Sequence, residues 1–167
     1  CSLNQGEDRL TLSCIMEIDK SGNVISSDIC KGVICVTKRM NYKDVQKILD
    51  GNDKEILEKY KPYIEDFKLM EELAKILKQR RLENGYLNLN IPETKIELDI
   101  DGKVTNIGKY ETTFANEIIE QFMLTANETV AEKFFWLEAP FIYRVHEAPD
   151  MEKVSELNKF LFNLGYR

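Results

Sequence analysis

"EIIEQFMLTANETVAEKFF", Glu117 to Phe135, is the stretch whose periodicity decides the fold. At 3.6 residues per turn, Ala115, Ile119, Phe122, Met123, Ala126 and Val130 make one continuous apolar stripe, which predicts a long helix buried along it. Thr125, Glu128, Thr129 and Glu132 fall opposite, and Gln121 is placed on the solvent side. Glu120 and Asn127 are seven residues apart, so they stack within about 20° of each other at the edge of the stripe. Met123 flanks them on one side and Leu124 on the other. A carboxylate half-withdrawn from water is costly unless something hydrogen-bonds it. Either an Arg or Lys inside the fold satisfies Glu120, or a ligand does. Asn127 reads as structural, an amide bonded to the backbone of a neighbouring loop.

Working outward from that helix, the rest of the chain alternates strands and helices. From Arg9 to Asp19, Leu10, Leu12, Cys14, Met16 and Ile18 alternate with Thr11, Ser13, Ile15 and Glu17, the pattern of a strand with one buried face. "KSGN" (20–23) turns the chain, and "VISSDICKGVICV" returns as a second strand. Asn41 with Asp44 resembles a capping box before a short helix that stops at Gly51. Asp53 starts another helix, and Pro62 interrupts it. "YIEDFKLMEELAKILKQRRLENG" (63–85) is a long amphipathic run capped at Asn84-Gly85. Its basic end, Lys78, Arg80 and Arg81, lies where cations favour a helix C-terminus, a reading preferred to an RNA patch. "YLNLN" (86–90) and "KIELDIDGKVTNI" (95–107) read as strands, the latter a hairpin turning at Asp101-Gly102. Asp99 and Asp101 resemble half a calcium loop but lack its later ligands, so the hairpin reading stands. The opening helix is expected from about Glu111 to before Pro140. "FIYRV" (141–145) then alternates as a strand, and a last helix opens at Pro149-Asp150 and closes at Gly165. The expected architecture is α+β: antiparallel strands and hairpins packed with several amphipathic helices.

Bulk properties narrow the function. The chain has 167 residues, enough for one domain with a sizeable core, and a net charge of −6. Phosphate binding normally uses a basic surface, so the chain as a whole does not read as a phosphate-binding domain. A local basic groove remains open to it. No apolar run approaches the ~20 residues of a membrane span, and no signal-peptide pattern is seen. Cys1, Cys14, Cys30 and Cys35 form no C-x-x-C pair and match no zinc spacing with the lone His146. Cys14 is in phase with Leu10, Leu12 and Met16 and reads as a buried core thiol. Reduced thiols in a cytoplasmic protein is the expectation. The chain opens without Met in polar sequence, "CSLNQGEDRLTL", and so is expected to be cut from a larger protein.

Four segments carry a resemblance. "CSLNQGEDRL" looks like the C-S-L-N-P-x-x-D-R-L segment of the RNB exoribonucleases, bacterial ribonuclease R and its ribonuclease II relatives. "KGVICVTKRMNYKDVQKILDG" is similar to that family's VI-x-x-x-x-R-M-T-Y-x-x-V stretch, "IIEQFMLTANETVAEKF" to its I-E-E-x-M-x-x-A-N helix, and "FIYRVHEAPD" to its Y-R-V-H-E-x-P signature. The matches run in order over essentially the whole chain, and the wording is nearest to low-GC Gram-positive bacteria. The resemblance implies processive 3′→5′ hydrolysis of single-stranded RNA to nucleoside monophosphates. It also implies divalent metal, Mg²⁺, held by aspartates that lie upstream of the C-S-L-N segment. Metal there lowers the pKa of an attacking water and stabilises the leaving oxygen. The family's clamping Tyr is likewise upstream, and its completing Arg and Glu lie downstream. Residues 1–167 are therefore expected to be a partial RNB catalytic domain without catalytic or metal-binding residues of its own.

Two substrate-side positions map onto this chain. Glu120 aligns with a family Glu that contacts the ribose of the terminal nucleotides, and a carboxylate accepting from a 2′-OH is one way to tell RNA from DNA. In the family's G-x-I-D-F-D, a Phe stacks on the last base, a contact worth ~1–3 kcal/mol. Here the text is "GYLNLN", so Leu89 stands for the Phe and Asn90 for the Asp. Leu89 can pack on a base but offers no π-face, and Tyr86, three residues earlier, points to the opposite strand face. Arg144 and His146 read as strand residues with structural partners, since one His without a nucleophile gives little mechanism. A second class stays in view: a non-catalytic interaction or RNA-binding module derived from the RNB domain. The fragment is also expected to expose apolar surface and to self-associate through it.

Overall fold

The computed structural model describes residues 2–87 and 93–166. The chain divides into two compact units, Cys1–Lys133 and Phe134–Arg167. The first opens with β1 (Asp8–Ile18) and β2 (Val24–Cys35), paired antiparallel from Asp8↔Cys35 through Ser13↔Cys30 to a bulge at Glu17/Ile18. The turn between them is built by Asp19. Its Oδ1 accepts from the backbone N–H of Ser21 and Asn23, both at 2.8 Å, and its Oδ2 from Asn23 Nδ2 at 3.0 Å. Gly22 closes the turn at φ 81°.

The β1 face departs from the alternation expected. Cys14, Met16 and Ile18 are half-buried, but Leu10 is 88% and Leu12 79% exposed, while Thr11 and Ser13 are the half-buried ones. Burial therefore changes face near the middle of the strand. Among the described residues, the end near the turn has a neighbour to bury against, shown by Thr129 Oγ1 at 3.3 Å from Met16 Sδ. Cys14 is accordingly half-buried, not a core thiol.

The helices begin and end where side-chain chemistry places them. Helix α1 (Tyr42–Asp50) starts with Asn41 Oδ1 accepting from Asp44 N at 2.9 Å and stops at Gly51, φ 70°. Helix α2 (Lys54–Lys59) is capped by Asp53, and a 3-10 turn at Lys61–Tyr63 carries Pro62 into α3 (Ile64–Glu83). Helix α3 ends in a Schellman motif, Tyr86 N to Arg81 O at 2.9 Å and Gly85 N to Leu82 O at 3.1 Å. Strands β3 (Thr94–Leu98) and β4 (Val104–Lys109) form the second hairpin, turning at Asp99 to Lys103. The strand expected over 86–90 lies mostly outside the described residues.

Helix α4 (Phe114–Trp136) begins three residues later than the sequence suggested. Thr113 and Asn116 cap it, Asn116 Oδ1 accepting from Thr113 N at 3.0 Å, and Gln46 of α1 accepts from Ala115 N at 3.1 Å. Val45 and Ile48 of α1, Ala74 and Leu77 of α3, Ala115 and Ile118 of α4, and Tyr60 make the buried core. The Tyr60 hydroxyl donates to Asp44 at 2.8 Å, so the ring enters the core without an orphaned O–H.

In the second unit, Phe134 stacks on Phe141 at 4.7 Å, and Tyr143 meets Phe141 edge-on. The expected strand over 141–145 is not formed, because a strand needs a ladder and no edge is offered to it among the described residues. Helix α5 (Met151–Asn163) is capped by Asp150 and closed at Gly165, as its sequence signals predict.

Candidate nucleic-acid interface

The rotation of α4 decides what this surface presents, and it is turned away from the periodicity reading: Ala115 is buried as expected, but Ile119 and Met123 are not. The buried residues are Ala115, Ile118, Gln121, Thr125 and Thr129. Met123 is 58% exposed and Ile119 is exposed, whereas Gln121, placed in solvent by the pattern, is 1% exposed. Polar partners explain this. Arg81 of α3 donates to Gln121 Oε1 at 3.1 Å and to both Glu128 carboxylate oxygens, and Lys133 donates to Ser27 O at 3.0 Å. The Thr125 and Thr129 hydroxyls donate back to the carbonyls of Gln121 and Thr125, both at 2.8 Å. No buried side-chain polar atom among the described residues lacks a partner. The inward stripe thus turns polar from Gln121 onward, and Ile119 and Met123 are left open.

Glu120 stands on that open face, exposed and without an ion-pair or hydrogen-bond partner among the described residues. Asn127, two turns on, is equally exposed and bonded to no loop among them. The internal Arg or Lys that would have explained Glu120 is absent there. The basic end of α3 is already engaged: Lys78 pairs with Glu117, Arg80 with Gly22 O at 3.1 Å, and Arg81 with α4. These three are thus bonded to α4 and to the β1–β2 turn. Leu89 lies outside the described residues. Arg144 and His146 are exposed and have no partner among the described residues, so the structural role given them is not seen.

Two hollows border the open face. One, of about 330 Å³, is lined by Met40, Tyr42, Val45, Met70, Ile118 and Ile119, and so reaches the residue beside Glu120. The other, of about 610 Å³, lies between the start of α1, the β3–β4 hairpin and the start of α4. Tyr42 lines both, and Tyr110, Asn116, Lys43 and Lys109 line the second. Lys43 and Lys109 have no ion-pair partner among the described residues. Lys95, also in that wall, is bonded to Glu97 at 2.7 Å, which holds the Glu97 carboxyl below its ordinary range and raises Lys95. Part-exposed rings beside unpaired ammonium groups suit a single strand, bases to the rings and phosphates to the charges. Sequence reasoning singled out none of Tyr42, Lys43, Lys109 or Tyr110, since nothing local in the chain shows that two separate segments share a wall.

Residues 1–166 match the model of the RNB domain family. The chain belongs to the RNB domain family. This RNB chain is 41% identical to ribonuclease R of Thermotoga maritima over 168 residues, covering 100% of the chain and 23% of that protein. It is 39% identical to ribonuclease R of Aquifex aeolicus, covering 100% of the chain and 24% of that protein. The solved structure of Mycoplasma genitalium RNase R in complex with ribose methylated single-stranded RNA superposes with a TM-score of 0.87 at 27% identity, over 99% of the chain and 25% of that one. The RNB chain thus spans about a quarter of the length of these relatives. Among its described residues no three His, Cys, Asp or Glu side chains converge to hold a metal ion. Asp99, the nearest suggestion in the sequence, spends Oδ1 on the N–H groups of Asp101 and Lys103, both at 2.9 Å. No helix of the described residues is long and apolar enough to cross a membrane.

Proposed function

We propose that this chain is the substrate-side wall and scaffold of a processive, Mg²⁺-dependent 3′→5′ exoribonuclease that degrades single-stranded RNA to nucleoside monophosphates in the cytoplasm. The observation that carries it is the free Glu120 carboxylate on an open helix face, in a chain of the RNB family. A carboxylate with no partner among the described residues is available to accept from a ribose 2′-OH, which deoxyribose lacks. Tyr42 and Tyr110 supply rings nearby, Lys43 and Lys109 supply charge, and Leu89 gives apolar contact to a base. The metal site belongs to aspartates outside this chain, as the family resemblance implies. The chain alone is therefore inactive, and its exposed apolar surface drives self-association.

The test is selectivity. In the full-length enzyme, Glu120→Ala should erode the preference for RNA over DNA while leaving the melting temperature within a few degrees. Unchanged selectivity with a large fall in melting temperature would make Glu120 structural. The isolated chain, given Mg²⁺ and single-stranded RNA, should release no nucleotide, and EDTA-sensitive release would show that it holds a complete site. Net charge −6 and Leu89 in the stacking position favour a second reading, a non-catalytic RNB-derived module. An aspartate cluster encoded upstream in the same reading frame separates the two, its presence favouring the enzyme.

A further inference from the structure

Arg81, in the last turn of α3, is bonded to three residues of α4. Its Nε donates to Gln121 Oε1 at 3.1 Å and its Nη1 to Glu128 Oε1 at 2.5 Å. Its Nη2 donates to Glu128 Oε2 at 2.9 Å and to Thr125 Oγ1 at 3.4 Å. A guanidinium is a rigid planar fork, so it satisfies such a set only when the acceptors sit at fixed angles around it. Gln121, Thr125 and Glu128 span two turns on one side of α4. Holding all three fixes the rotation of the helix and its position along its axis. The Arg81 side chain is 18% exposed, which limits competition from water.

Glu120 is the residue before Gln121 and points about 100° away around the same helix. A rotation of roughly 20° would carry atoms at the outer helix radius of ~5–6 Å through about 2 Å. Displacement on that scale is enough to lose a hydrogen bond to a sugar hydroxyl. The Arg81 carbonyl also accepts from Tyr86 N at 2.9 Å, which closes α3 behind the side chain.

We infer that Arg81 is a positioning residue for RNA selection, fixing through α4 the place of the Glu120 carboxylate against the ribose. This rests on the reading of Glu120 given above. Lysine cannot replace it, because an ammonium keeps the charge and loses the fork.

The experiment compares kcat/KM of the full-length enzyme on an all-ribose single strand and on the same strand with 2′-deoxy sugars at its 3′ end. Arg81→Lys should lower the ribose preference by about threefold to tenfold, and Glu120→Ala by at least as much. The double variant should lose no more than Glu120→Ala alone, since Arg81 acts through Glu120. Glu128→Gln removes the bidentate carboxylate at the exposed end of the contact and should shift the ratio the same way, which covers an Arg81→Lys variant that fails to fold. A residue needed only for stability would move the melting temperature and leave this ratio alone. Full preference retained in whichever of these two variants folds, beside a loss in Glu120→Ala, overturns the positioning role and spares Glu120. Preference retained in Glu120→Ala overturns both readings. Additive losses in the double variant also overturn the inference, because Arg81 would then act by another route.

Discussion

Gln121 and Arg81 meet at 3.1 Å, amide oxygen to guanidinium, inside the fold, although the periodicity of α4 had put Gln121 on the solvent side. The consequence is measurable in stability. Gln121→Ala leaves the Arg81 Nε–H without its partner in a part-buried site and should cost about 1–3 kcal/mol. Met123→Ala, on the open face, should stay within about 0.5 kcal/mol. Urea denaturation of both variants checks the order, and a larger loss for Met123→Ala would mean that α4 is turned the other way.

The two hairpin turns allow a second comparison. Gly22 and Gly102 have nearly the same backbone, φ 81° and 80°, each after an Asp that organises its turn. A Cβ on Gly22 would lie 3.3 Å from Ile76 Cγ2 and from Arg80 Cδ, whereas one on Gly102 meets nothing within 4 Å. Gly102→Ala should therefore cost only the left-handed backbone strain, about 1 kcal/mol. Gly22→Ala should cost more, since it also presses the hairpin tip off α3. Equal losses in thermal melts would show that the tip is not seated there.

What the sequence disclosed and what it hid follow from the range of the interactions. The caps at Asn41, Asp53 and Asp150 and the left-handed ends at Gly51, Gly85 and Gly165 were legible because each is made within a few residues. The rotation of α4 was not. Its period shows two unlike faces, and which face turns inward depends on Arg81, forty residues away, and on the β1–β2 hairpin. Leu10 and Leu12 failed for the same reason, since alternation marks an apolar face without saying that this chain covers it. Glu120 was found by its odd place on a helix wheel, and its openness became visible only when the helix was turned. Tyr42 and Lys43 escaped notice because their partner wall is formed by Lys109 and Tyr110, far along the chain.

Acid should loosen the helical core in a way that depends on Tyr60. The Tyr60 hydroxyl on Asp44 holds that carboxyl below its ordinary value of 3.8, helped by Asn41 and Lys59. A depressed carboxylate pKa contributes stability that is fully present above the unfolded value and is lost as pH falls through the lower folded one. The melting temperature of the wild-type chain should hold down to about pH 4 and fall below it. Tyr60→Phe removes the donor, so it should melt lower at neutral pH and lose less on acidification. Parallel curves for the two proteins between pH 6 and pH 3 would remove Asp44 from the acid response.

Apolar surface on β1 and β2 gives the last prediction. Leu10 pairs in register with Val33, and these two with Leu12 stand on one side of the hairpin at 88%, 62% and 79% exposure. Contiguous patches of this kind are uncommon on soluble monomers and draw partners. At roughly 25 cal/mol per Å² of apolar area removed from water, covering a few hundred Å² yields several kcal/mol before association costs. The isolated chain should therefore sediment with a concentration-dependent mass and bind a hydrophobic dye. Leu10→Ser with Leu12→Ser should reduce both while the melting temperature stays near wild type, because neither side chain is buried within this chain. A monomer at high concentration, dye-free, would place these leucines among the scattered exposed apolar residues that soluble proteins tolerate.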